Sequence, residues 1–115
     1  MFQSLLIASS TAAFLLQTNI AFADVSDYPT EARVDYVIGC MASNGQGVDM
    51  LRRCSCSIDV IASLVPYERY AEAETVLRMS QVRSESASVF REGHWTQPIL
   101  EELRRAQIEA DFRCF

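Results

Sequence analysis

Four cysteines, Cys40, Cys54, Cys56 and Cys114, constrain this chain more than any other feature. They lie downstream of a segment that reads as an export signal. Residues 1–23 carry no charged side chain, and Leu5 to Leu16 is an almost unbroken run of apolar and small residues. Gln17-Thr18-Asn19 ends that run, and Ala21-Phe22-Ala23 then supplies an A-x-A cleavage pattern. The expectation is a cleaved signal peptide over 1–23 and a single helical domain over 24–115. A basic n-region is missing from the pattern. The rival is an uncleaved anchor, but a spanning helix needs about 20 apolar residues and the polar break makes the run too short. An exported chain places the cysteines in an oxidising compartment, where they pair as disulfides. The expected location is the periplasm.

A domain of this size has a marginal core, to which covalent staples add usefully. The net charge is −5, and the signal segment contributes nothing to it. Such a balance disfavours nucleic acid and anionic lipid as partners recognised by bulk electrostatics. After cleavage no stable membrane anchor is expected.

The hydrophobic spacing is helical throughout. Thr30 reads as an N-cap to a first helix over about 31–43, with Val34, Val37, Ile38 and Met41 as its apolar stripe. Asn44-Gly45-Gln46-Gly47 breaks it. A second helix runs from Val48 or Asp49 to Val65. It carries one stripe of Leu51, Cys54, Ile58, Ile61 and Val65, and a second of Cys56, Val60 and Leu64. A helix apolar on two sides is the expected centre of a bundle. Pro66 ends it and opens a third helix over about 67–79. Residues 81–88 read as a loop, and Ala87, Val89 and Phe90 as a short helix closed by Gly93. Thr96 with Pro98 starts the last helix, which runs to about Arg113. The fold class is all-α, a compact bundle of four to five short helices stapled by two disulfides.

Four cysteines allow three pairings. Cys40 and Cys54 lie about two turns on either side of the Gln46–Gly47 turn, so an antiparallel hairpin brings them together. That leaves Cys56–Cys114, which ties the last helix to the opposite side of the second. The nearest competitor is Cys40–Cys56 with Cys54–Cys114. A Cys54–Cys56 bond needs non-helical backbone, because residues two apart on a helix point about 200° apart.

Chemistry is sparse. Cys54-Ser55-Cys56, beside Arg52 and Arg53 near a helix start, is the one place for a thiol-disulfide carrier. Two permanent staples account for the same residues. Zinc would need four convergent ligands, and two cysteines two apart on one helix diverge. His94 is the sole histidine, with no neighbour in sequence to orient it for catalysis. Glu68, Glu72 and Glu74, with Glu31 and Asp35, read as a solvated face rather than as metal ligands. Residues 44–49 lack the alternating acids of an EF-hand. Nucleophile-elbow, phosphate-loop and haem-attachment motifs are absent. No cofactor, metal or catalytic residue is expected.

The block from Tyr36 to Gly45, then Cys54-Ser55-Cys56-Ser57-Ile58-Asp59-Val60-Ile61-Ala62, and the ending Arg104 to Phe115, resembles small exported four-cysteine helical proteins of proteobacteria with no assigned function. The resemblance covers most of the region after the signal and implies a periplasmic location. The expected function is that of an accessory or binding protein whose partner is another periplasmic protein. Tyr67, Tyr70, His94 and Trp95 are its expected contacts, since exposed aromatics are enriched at interfaces. The alternatives are a thiol-disulfide carrier using Cys54 and Cys56, and an acid-activated periplasmic chaperone. The latter shares a short, exported, disulfide-bearing helical plan with the acid-stress chaperones of the enteric periplasm.

Overall fold

The structure, a computed structural model, describes residues 27–115. The expected signal segment and cleavage site fall outside them. Five α-helices follow in order: α1 (Thr30–Asn44), α2 (Val48–Leu64), α3 (Tyr67–Ser80), α4 (Ser88–Glu92) and α5 (Gln97–Cys114), with a 3₁₀ turn at His94–Thr96 before α5. No strand occurs among the described residues.

Backbone chemistry explains the joints. The α1–α2 turn has Gly45 at φ 119° and Gly47 at φ 120°, a conformation open to glycine and strained for any L side chain. Pro66, which cannot continue α2, leads into α3, and its carbonyl accepts the Tyr70 amide at 3.1 Å. The expected Thr30 cap is corrected, whereas Thr96 with Pro98 does start the last helix as expected. Thr30 is the first residue of α1, and Pro29 precedes it in extended conformation. The Pro29 carbonyl accepts the Arg33 amide at 3.2 Å, so the helix starts one residue early without a side-chain cap. Thr96 is already helical because the 3₁₀ turn runs into α5, and its hydroxyl donates to the Gly93 carbonyl at 2.8 Å.

The core is built from α2, α3 and α5. Ile58 and Ile61 of α2 meet Leu103, Ala106 and Ala110 of α5 and Tyr70 and Ala73 of α3, with Val65 closing one end. Alanines on α3 and α5 let helix backbones approach, while the branched residues of α2 fill the centre. Tyr28 folds back from the segment before α1 and donates its hydroxyl to the Val65 carbonyl at 2.8 Å. The central position of α2 is therefore as the two stripes indicate, with α1 and α5 packed along it. One member of its second stripe departs from that pattern: Leu64 is exposed at the end of the helix. No residue of α1 is buried. Val34 and Ile38 of its apolar stripe are 51% and 63% exposed.

Two disulfides brace this arrangement. Cys40–Cys54 joins α1 to α2, and Cys56–Cys114 joins α2 to the end of α5. The Cα atoms of each pair are 5.8 Å apart, the normal separation for a bridge. Cys54 and Cys56 project to different sides of α2, so one helix is stapled to both neighbours.

Candidate functional site

The Cys54-Ser55-Cys56 segment carries no free thiol, since all four cysteines are paired. Each of the two cysteines is bonded to a partner on another helix rather than to the other. Cys54 is fully buried. Arg53 does not face a thiol. It donates to Asp49 at 3.0 Å and to the Phe115 carbonyl at 3.3 Å, and its guanidinium lies 5.9 Å from the Phe115 ring centroid. These contacts fasten the chain end beside Cys56–Cys114. A cation over an aromatic face adds a modest electrostatic attraction.

The tyrosines form an internal cluster. Tyr28 lies 5.2 Å from Tyr67 and 5.0 Å from Tyr70 between ring centroids, and Tyr67 stacks on Tyr70 at 6.4 Å. Tyr70 is only 5% exposed. Burial is the main reason its phenol and that of Tyr28 titrate well above the ordinary range. Tyr70 therefore does not offer the surface contact expected of it. Its place at the α3 start, under the returning Tyr28, puts it in the core. Tyr67 is half-buried.

His94 and Trp95 are exposed, Trp95 at 48%. The Trp95 ring meets Phe90 edge-on at 5.7 Å. It also closes over Gly93, where a Cβ would collide with the indole and with the Val89 carbonyl. Gly93 is thus required by close approach rather than by its backbone angles.

Some of the acids are engaged as surface pairs. Arg78 bridges Asp35 of α1 and Glu74 of α3, Arg33 pairs with Asp59, and Arg69 with Glu102. Glu68 and Glu72 are exposed. Burial pushes the Glu74 carboxyl up; Arg78 opposes this and Asp35 adds to it. No group of His, Cys, Asp and Glu able to hold a metal occurs among the described residues. Ser57 Oγ is buried beside the phenol of Tyr36, whose titration burial pushes up and the Ser57 hydroxyl opposes.

The surface features that sequence reasoning missed are apolar. On the outer side of α5, Ile108 is 61% exposed and Phe112 88%. Exposed Arg104 and Arg105 lie one turn before Ile108. The steps of four from Arg104 through Ile108 to Phe112 mark a second stripe on that helix, and that is the signal that was available. Phe115, which follows the helix, turns instead toward Arg53 of α2 and lines a cavity with Tyr36 and Ile38 of α1. A groove of about 420 Å³ lies between α1 and α2, lined largely by Val34, Val37, Ile38, Met41, Leu51 and Ile58. A contiguous apolar surface of this kind marks an interaction site more often than a lone exposed side chain does.

No described helix is long and apolar enough to cross a membrane. No family model matches the chain, and no curated protein or solved structure matches it significantly.

Proposed function

We propose that this is a small periplasmic binding protein, exported through a cleaved signal peptide, that acts by contact with another protein and not by catalysis. The observation that carries the reading is the outer face of α5. There Phe112, with 88% of its surface exposed, stands one turn after Ile108 on a helix whose end is locked by Cys56–Cys114. Aromatic and arginine side chains on a rigid element are what interface hot spots are made of. Rigidity lowers the ordering cost of association. His94 and Trp95, just before the start of α5, extend the candidate surface, and Tyr67 contributes at most an edge. The two disulfides fit a non-reducing compartment.

The test is a photo-crosslinking amino acid placed at position 112 in the exporting cell. One discrete adduct, lost when Arg104→Ser and Ile108→Ser are combined, supports the reading. A folded, exported protein that yields no adduct opposes it. Sequencing of the exported product should begin at Asp24.

A thiol-disulfide carrier built on Cys54 and Cys56 is disfavoured, because each is bonded to a distant cysteine that braces the fold. An acid-activated chaperone has one observation in its favour. Each of the six ion pairs among the described residues joins an arginine to a carboxylate. Protonation therefore removes them all while the positive charges stay. Suppression of client aggregation in strong acid, absent at neutral pH, is its signature.

A further inference from the structure

The α1–α2 groove has its own charge pattern, distinct from that of the outer α5 stripe of Ile108 and Phe112. Its middle is apolar: Val34 and Ile38 from α1, 51% and 63% exposed, stand beside Leu51 from α2, 44% exposed. Glu31 continues the Val34–Ile38 row on α1 at helical spacing, and Arg52 continues the Ser55–Asp59 row on α2 in the same way. Both are exposed, and neither has an ion-pair partner among the described residues. They sit at opposite ends of the groove. Counting helical rise from the Gly45–Gly47 turn, Glu31 stands roughly 22 Å away along α1 and Arg52 roughly 8 Å away along α2. The midpoint falls at roughly 15 Å, level with Val34–Ile38 and with Ser55–Ile58, at the apolar centre of the groove.

A surface with an apolar centre and opposite charges at equal distances from it is complementary to itself. In a two-fold interface, residue i meets residue j and j meets i. An antiparallel two-fold through the groove sets Val34 against Ile38 of the second copy and Glu31 against its Arg52, twice over. A parallel arrangement sets Glu31 against Glu31 and is repelled. The remaining charges on the groove, Arg33 and Asp59, are paired with each other and add no net repulsion. We propose that the α1–α2 face is a self-association surface that takes a second copy of this chain about an antiparallel two-fold axis, with Val34 and Ile38 at its centre and Glu31–Arg52 pairs at its rims.

Sedimentation of the exported, oxidised protein across a wide concentration series tests this. A reversible monomer–dimer equilibrium, weakened by added salt, is expected. Ile38→Glu, at a site exposed in the monomer, should abolish the dimer with helix content and both disulfides unchanged. Glu31→Arg and Arg52→Glu should each weaken it about tenfold, since each reverses two symmetric contacts, and the double reversal should bring it back to within about threefold. Rescue by the double reversal requires that the two charges meet across the interface. A wild-type protein that stays monomeric overturns the proposal. So does a dimer indifferent to Ile38→Glu, or single reversals that the double does not rescue. None of these results bears on position 112, so the two surfaces stand or fall separately.

Discussion

Helices α1 and α5 flank the same central helix, are both amphipathic, and are each tied to it by one disulfide, yet they are held differently. Leu103, Ala106 and Ala110 of α5 are buried against α2 and α3, whereas α1 buries no residue. The difference lies in the number of neighbours. A helix wedged between two others covers a wide apolar arc, while one laid against a single neighbour leaves half its stripe in water. On the α5 side the disulfide reinforces packing that already exists. On the α1 side the Cys40–Cys54 bond, the contacts around Tyr36 and Val37, and surface ion pairs carry the attachment.

The sharpest way to break this comparison is to remove each bond. In the loop-entropy treatment, Cys56→Ala with Cys114→Ala, closing 58 residues, costs about 4 kcal/mol. Cys40→Ala with Cys54→Ala, closing 14, costs about 3 kcal/mol. Urea denaturation measures both. Beyond these totals, the α1 variant should lose hydrogen-exchange protection in α1 alone, while the α5 variant retains α5 protection through its packing. Equal protection of α1 with and without its bond would show that the packing of α1 is stronger than its burial indicates.

Truncation gives the next largest contrast. Leu103→Ala should cost about 3 kcal/mol by transfer and cavity formation. Ile38→Ala, at an exposed position, should stay within about 0.5 kcal/mol in the monomer. Between them falls Gly93→Ala, where the added Cβ forces Trp95 aside. It should cost about 1–2 kcal/mol and shift the Trp95 fluorescence.

The smallest effect is a pH dependence. Burial holds the Glu74 carboxyl above its ordinary value, so the folded state binds that proton more tightly than the unfolded chain. This contribution is fully present below the unfolded value and is lost as pH rises through the folded one. Glu74→Gln keeps a neutral group in place. It should therefore raise the melting temperature at neutral pH and leave it unchanged in acid, where Glu74 is itself protonated. A drop at neutral pH would mean that the Arg78 contact outweighs desolvation.

Much of the architecture was legible before the structure. The helical periods located α1, α2, α3 and α5 to within a residue or two. Gly93 and the apolar residues before it marked α4. The opposed stripes of α2 explain why Cys54 and Cys56 are two residues apart. The candidate surface was less legible. Tyr70 and Trp95 are both aromatics beside a proline- or glycine-marked joint, and nothing local distinguishes them. Tyr70 is buried by the core residues of α2 and α5 together with Tyr28 returning onto the α3 start, neither of which is visible locally. Arg53 beside Cys54 suggested thiol activation, and its actual partners, Asp49 and Phe115, include one that is 62 residues away. Phe112 lies on an outer stripe that a count of apolar residues on α5 registers without showing which side faces out.

The sequence alone determined the helices and their approximate ends, because period, glycine and proline act over a few residues; it ranked the cysteine pairings, and the structure decided between the favoured one and its competitor. The tertiary structure alone decided which apolar stripes are covered. Burial depends on how many elements surround a helix, and that number is set by the packing of the whole chain. The four cysteines thus state how α1 and α5 are fastened, while the exposed apolar faces, on which both proposals rest, arise from neighbours that those helices do not have.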